Sequence, residues 1–128
     1  MKEFFYKSSA FFLTFSLIIF FRFYLSFFGF GRLVKLLKKS NRNFLNISKI
    51  SYVLKSIKII CSVVPRISCL VRASVLKIIF SETKNLIIYI GIRENEFEEF
   101  ESHAWVALEK KVILNDEKIR SYKTIYTI

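Results

Sequence analysis

This sequence contains few of the residues that bend the backbone, form disulfides or bind metal ions. Its 128 residues include three Gly, one Pro, two Cys and one His, and Asp116 is its one Asp. Two cysteines, Cys61 and Cys69, are too few for the disulfide framework of a small secreted domain, and no secretory cleavage signature is present. The pattern favours a cytoplasmic protein with free thiols. Either thiol could then be reactive, and its sequence context must decide.

Acidic residues are scarce in the first two thirds of the chain. Residues 1–81 carry 14 Lys/Arg and one Glu, a charge of +13, whereas residues 82–128 carry 7 Lys/Arg and 9 acidic residues, a charge of −2. A basic half attracts nucleic acid, an anionic membrane or an acidic partner. No nucleic acid is expected, because the basic residues are scattered among Phe, Ile and Leu and no nucleic-acid-binding module is recognisable. The 53% apolar content excludes intrinsic disorder.

The apolar N-terminal region, residues 11–30, leaves two readings open. Its charge-free run from Phe11 to Phe21 falls short of the roughly 20 residues that cross a bilayer, and Arg22 interrupts the region near its middle. A helix buried in the protein, or one lying at a membrane surface, is therefore favoured over a membrane span. Gly29 and Gly31 interrupt the region, and a short basic helix is expected over residues 32–39.

The remaining segments predict an α+β fold with one folding unit. Residues 1–46 are expected to form an apolar and basic helical segment, packed on or near a core of residues 47–128. The predicted elements after the linker 40–46 are a helix from about Ser48 to Pro65, a helix capped by Ser68 and ending near Phe80, a strand over 85–92, a hairpin of strands 103–108 and 111–114 turning at Glu109 and Lys110, and a last strand within 119–128.

Three side chains of these elements can form a nucleophilic site. Cys69 lies in the first turn of its helix, where the dipole and the free N–H groups favour the thiolate that acts as a nucleophile. A thiol nucleophile needs a base, and His103 is the one histidine. A carboxylate can orient that base, and Asp116 follows the return strand of the hairpin, so it can reach the same sheet edge. Cys61 instead continues the buried stripe of the preceding helix and is read as a core residue.

The motifs around these residues resemble one family. Pro65-Arg-Ile-Ser-Cys-Leu-Val-Arg72, then Ser102-His-Ala-Trp-Val106, then Asn115-Asp116 is similar to the leader peptidases of lasso-peptide biosynthesis, members of the transglutaminase-like superfamily. The resemblance implies a cysteine peptidase in which a helix with the nucleophile at its N-terminus packs on a small antiparallel sheet. It assigns Cys69 as nucleophile, His103 as base and Asp116 as orienting acid, with Asn115 as the second candidate for that last role. Arg72 and Trp105 are read as structural.

The resemblance also implies partners. The substrate is the precursor peptide, and a separate leader-recognition protein is expected, because residues 1–64 lack the strand pattern of a fused recognition domain. An ATP-dependent lasso cyclase is a further expected partner, and neither a metal nor an organic cofactor is required. Two alternatives stay open. One is a non-catalytic, membrane-associated helper, and the other is an enzyme that passes its thioester to an amine instead of water.

Overall fold

The computed structural model describes residues 2–116 and 119–128 and confirms the α+β class. A four-stranded antiparallel sheet has the order β3-β2-β1-β4. The elements are α1 (Lys2–Lys39), α2 (Ile50–Val63), α3 (Cys69–Ile79), β1 (Leu86–Glu94), β2 (Phe100–Leu108), β3 (Lys111–Leu114) and β4 (Lys123–Thr127), with short 3₁₀ turns at Ile47–Lys49 and Ile119–Ser121.

The first helix is longer than the apolar region suggests. It begins at Lys2, where Glu3 and Lys7 form an ion pair of 3.3 Å one turn apart. The expected interruption occurs at Gly29, whose φ of 79° belongs to the left-handed region and kinks the helix. Residues 30–39 continue as the predicted basic helix.

Local signals place the next two helices where they were predicted. The Asn46 side chain accepts a hydrogen bond from the Ser48 backbone N–H at 3.0 Å, which starts the 3₁₀ turn before α2. That helix ends at Val63, just before Pro65. Ser68 caps α3, because its hydroxyl accepts from the Val71 N–H at 3.2 Å.

The sheet follows the predicted strands with one tight hairpin. Glu109 and Lys110 both have positive φ, 51° and 69°, as in the primed turns that join antiparallel strands. Neither residue type favours this conformation, so pairing of the flanking strands, in which Leu108 faces Lys111, must hold the turn. The first hairpin turn spans residues 95–99, where the Asn95 side chain accepts two backbone N–H groups.

The core lies between the helices and one face of the sheet. Helix α3 packs on both α1 and strands β1 and β2, so it forms the middle of the protein. Alternate sheet residues such as Ile88 and Val106 are fully buried in the hydrophobic cluster that includes α3. The other sheet face carries an aromatic group in which Tyr89 stacks on Trp105 at 5.9 Å between ring centroids.

Gly91 makes room for that aromatic group, and we expect Gly91→Ala to destabilise the fold. A Cβ at this position would lie 2.9 Å from Cη2 of Trp105 and 2.9 Å from Cβ of Tyr122. Overpacking of this kind costs about 1–3 kcal/mol of unfolding free energy, which urea denaturation measures. Gly31→Ala is the control, because a Cβ there meets nothing within 4 Å. Equal unfolding free energies for the two variants would contradict this account.

Candidate active site

Cys69 is the first residue of α3, as its sequence context predicts. Ser68 uses its hydroxyl to satisfy the N–H of Val71. The N–H groups of Cys69 and Leu70 lie in the first turn, where an α-helix provides no carbonyl acceptor for them. The half-buried thiol therefore sits at the positive end of the helix dipole, among donors that favour negative charge.

The thiol also meets the edge of the sheet beside the histidine. Pairing of β2 with β3 ends at Val106, so the backbone of Ala104 has no strand partner on that side. Its N–H instead donates to Sγ of Cys69 at 3.3 Å. Ala104 directly follows His103, so the fold places the nucleophile against the backbone of the residue next to the base.

The ring of His103 packs against two aromatic side chains. Its centroid lies 5.9 Å from that of Trp105, on the same face of β2, and 5.2 Å from that of Tyr122, which precedes β4. Arg93 lies over the outer face of Tyr122 at 4.7 Å. Contacts with two neighbouring aromatic rings limit rotation of the imidazole, which a precisely aimed base requires.

One hydrogen bond sets the tautomer of that imidazole. Nε2 of His103 lies 2.7 Å from the backbone carbonyl oxygen of Asn115. A carbonyl oxygen can only accept, so Nε2 carries the hydrogen and the neutral ring has its lone pair on Nδ1. Nδ1 is thereby the atom that can take a proton from a thiol.

Hydrogen bonds of Asn115 link the start of α3, strand β2 and His103. It is 7% exposed and has a φ of 58°, a left-handed conformation that Asn adopts more readily than most residues. Its side-chain amide donates to the carbonyl oxygens of Cys69 and Ala104, each at 3.0 Å, and its Oδ1 accepts from Arg72 at 3.4 Å. Both amide hydrogens are thus used within the site, and the contact with His103 comes from the main chain.

Asp116, the predicted orienting acid, directly follows Asn115, and its side chain is exposed. Within the described residues its carboxylate makes no hydrogen bond or ion pair. Its role toward His103 stays a prediction. Asn115, the second candidate, supplies the main-chain carbonyl that bonds Nε2 of His103.

The structural readings of two motif residues are confirmed. Arg72 donates to the carbonyl oxygen of Ile67 at 3.0 Å and so fixes the loop that leads into α3. Trp105 is buried at 6% exposure. Cys61 packs against the core, and burial raises the pKa of its thiol, an effect that the charge of Arg72 partly offsets.

Two features of the site were missed by sequence reasoning. The stacking of Tyr122 on His103 depends on a chain segment that returns after β3, and no local motif marks it. Asn115 was the second candidate for orienting His103, as Asn does in some papain-like sites, but the hydrogen bonds of its buried amide to α3 and β2 were not predicted. A turn residue that tolerates positive φ, directly after β3, was the available signal.

Comparison with known proteins decides the family. The model of the transglutaminase-like superfamily matches residues 17–127, which covers most of α1 and the whole site. The chain belongs to the transglutaminase-like superfamily. This superfamily includes cysteine peptidases and acyltransferases, in agreement with a cysteine at a helix start beside a histidine on a strand. Searches of curated proteins and of solved structures returned no match.

Proposed function

We propose that this protein is a cysteine peptidase that removes the leader from a lasso-peptide precursor. The proposed cysteine-peptidase chemistry rests on the joint placement of the Cys69 thiol and His103. The thiol lies at a helix start, bonded to the N–H of Ala104, and the imidazole of His103, the preceding residue on β2, is held with its lone pair on Nδ1. The substrate class rests on the resemblance of the Cys-Leu-Val-Arg and His-Ala-Trp-Val motifs to the leader peptidases.

In the proposed reaction His103 transfers one proton in each of two stages. Nδ1 takes the thiol proton of Cys69 as sulfur attacks the scissile carbonyl carbon, which gives a tetrahedral oxyanion. Collapse breaks the C–N bond, and the imidazolium gives its proton to the departing amine of the core peptide. Water, deprotonated by Nδ1, then hydrolyses the thioester, which releases the leader as a carboxylic acid and restores the thiol.

The start of α3 supplies stabilisation for the oxyanion. The N–H groups of Cys69 and Leu70 lack helical acceptors and lie beside the reacting sulfur. One such preorganised donor is worth about 3–4 kcal/mol in the transition state. The carbonyl of Asn115 fixes the imidazole and stabilises its charged form, the part that an orienting acid plays in a triad.

The partners of this reaction are proposals of the same kind. A separate leader-recognition protein is expected to deliver the precursor, and an ATP-dependent cyclase would close the ring of the released core.

The acidic hairpin tip offers a surface for a basic partner. Glu94 and Glu96 line a groove of about 690 Å³ there, together with the exposed Phe97 and Phe100, while Glu101 in the same groove is ion-paired with Arg93.

Mass spectrometry of a lasso precursor, incubated with this protein and its leader-binding partner, tests the function. The expected products are an intact leader acid and a core peptide from the wild type and from Cys61→Ala, and neither from Cys69→Ala. Adding a primary amine separates hydrolysis from transfer, because transfer leaves the amine on the leader carboxyl. An unchanged precursor, with the wild type folded and bound to its partner, would instead support the non-catalytic helper.

A further inference from the structure

The outer side of α1 carries a row of solvent-exposed phenylalanines. They recur at spacings of seven, eight, three and four residues, so they lie on one side of the helix. We call this row the Phe face: Phe5, Phe12, Phe20, Phe23 and Phe27, which are 49% to 77% exposed. From Phe5 to Phe27 the row is about 33 Å long at 1.5 Å per residue. Ser9 and Ser16 occupy the intervening turns, and an exposed aromatic row of this length marks an interaction surface.

The opposite side of the same helix packs in the protein interior. Ala10, Thr14, Ile18 and Phe21 are at most 1% exposed, and the spacing of these residues by four and three puts them on the side away from the Phe face. Leu33 and Leu37 continue the buried contacts after the kink. The helix is therefore fixed against α2 and α3 along its length, with the Phe face turned outward.

This arrangement disfavours α1 as a membrane span. By length and composition alone the helix could cross a bilayer, and only 17% of its most apolar 18-residue stretch is buried in the protein. Inserting it across the bilayer would either strip the buried stripe from the core or carry α2 along. Helix α2 bears the exposed Lys55 and Lys58, and charged side chains are strongly disfavoured in hydrocarbon.

The charge of this half of the chain indicates which kind of partner binds the Phe face. Residues 2–63 carry 11 Lys/Arg and one acidic residue, Glu3, which is paired with Lys7. Helical geometry places Glu3 on the buried-stripe side, whereas Lys2 shares the side of the Phe face. A second copy of the chain on this face would bring two strongly basic surfaces together. An anionic lipid surface satisfies both the aromatic row and the net positive charge of this half of the chain.

We propose that α1 is an in-plane membrane anchor that inserts the Phe face into the interface of an anionic bilayer. The helix lies parallel to the membrane, and the basic helical segment after Gly29 adds electrostatic attraction through Arg32, Lys35 and Lys39. The site at the start of α3 stays in water. Peptidase chemistry is not required for this anchoring, so the two proposals fail independently.

Vesicle flotation of the full chain tests the anchor. The protein is expected to float with vesicles of phosphatidylcholine and phosphatidylglycerol, and to float at least about tenfold less with phosphatidylcholine alone or in about 1 M salt. The double variant Phe12→Ser/Phe23→Ser is expected to lose about a hundredfold in partition coefficient. Circular dichroism checks that each variant keeps its helices, since both Phe positions are outside the core.

A matched control uses two other exposed phenylalanines. Phe97→Ser/Phe100→Ser removes rings that are 78% and 74% exposed, but on the acidic hairpin tip, and should float like the wild type. Cys69→Ser should also float normally. Failure of the wild type to float with anionic vesicles, or equal losses in both double Phe variants, would overturn the proposal. Resistance of the bound protein to alkaline carbonate extraction would show a span and would overturn it too.

Discussion

Cys69→Ala and Cys69→Ser are each expected to abolish leader cleavage, with a loss in rate of about ten-thousandfold or more. Alanine removes the nucleophile. Serine keeps an acceptor for the N–H of Ala104 but replaces the thiol with a much weaker acid, so this variant should stay folded and inactive. The measurement is the initial rate of leader release followed by mass spectrometry.

Cys61 provides the control for this pair of variants. It lies in α2 against the core, and Cys61→Ala should keep a rate close to that of the wild type. Leader release by Cys69→Ser within tenfold of the wild-type rate would contradict the assignment of the nucleophile. A thermal unfolding curve for each variant separates chemical loss from loss of structure.

Asn115→Ala is expected to have the largest effect on stability. It leaves the buried carbonyl oxygens of Cys69 and Ala104 without their donor and puts alanine at a φ of 58°. Unsatisfied buried groups and left-handed strain together predict a loss of about 3–5 kcal/mol in unfolding free energy. Leader cleavage should fall in parallel, because the main-chain carbonyl that bonds the His103 ring is no longer fixed in place by the side chain. Urea denaturation checks the stability.

Two further variants separate the causes of that loss. Asn115→Gly tolerates positive φ but lacks the amide, so it reports the hydrogen bonds alone. Asp116→Asn changes an exposed side chain and should leave stability within about 0.5 kcal/mol of the wild type. Its cleavage rate decides whether Asp116 acts on His103. A loss of less than 1 kcal/mol for Asn115→Ala would refute the linking role of Asn115.

Much of the fold followed from local chemistry in the sequence. Pro65 and Ser68 set the end of α2 and the start of α3, because proline cannot continue a helix and a serine hydroxyl caps one. The placement of Cys69 at a helix start followed from the Ser68 cap, and that of His103 on a strand followed from the alternating pattern of residues 103–108. Local rules act within a few residues, so they fix elements and their ends.

Contacts between distant segments could not be predicted in this way. The position of Tyr122 on His103 depends on how the chain returns after β3, and the choice of Asn115 over Asp116 for the buried position depends on one positive φ. The sequence also left the N-terminal region open between a buried and a surface helix. Only packing shows that α1 does both, with Phe21 buried and Phe23 exposed.

Alkylation of the two cysteines by iodoacetamide, resolved by peptide mapping, tests the central claim most directly. Thiolates react and thiols do not, and burial raises the pKa of Cys61, so Cys61 should label slowly at neutral pH. Cys69 is predicted to label at least about tenfold faster, and His103→Ala is predicted to remove most of that advantage. Equal labelling of both cysteines, or an unchanged Cys69 rate in His103→Ala, would contradict a paired cysteine and histidine.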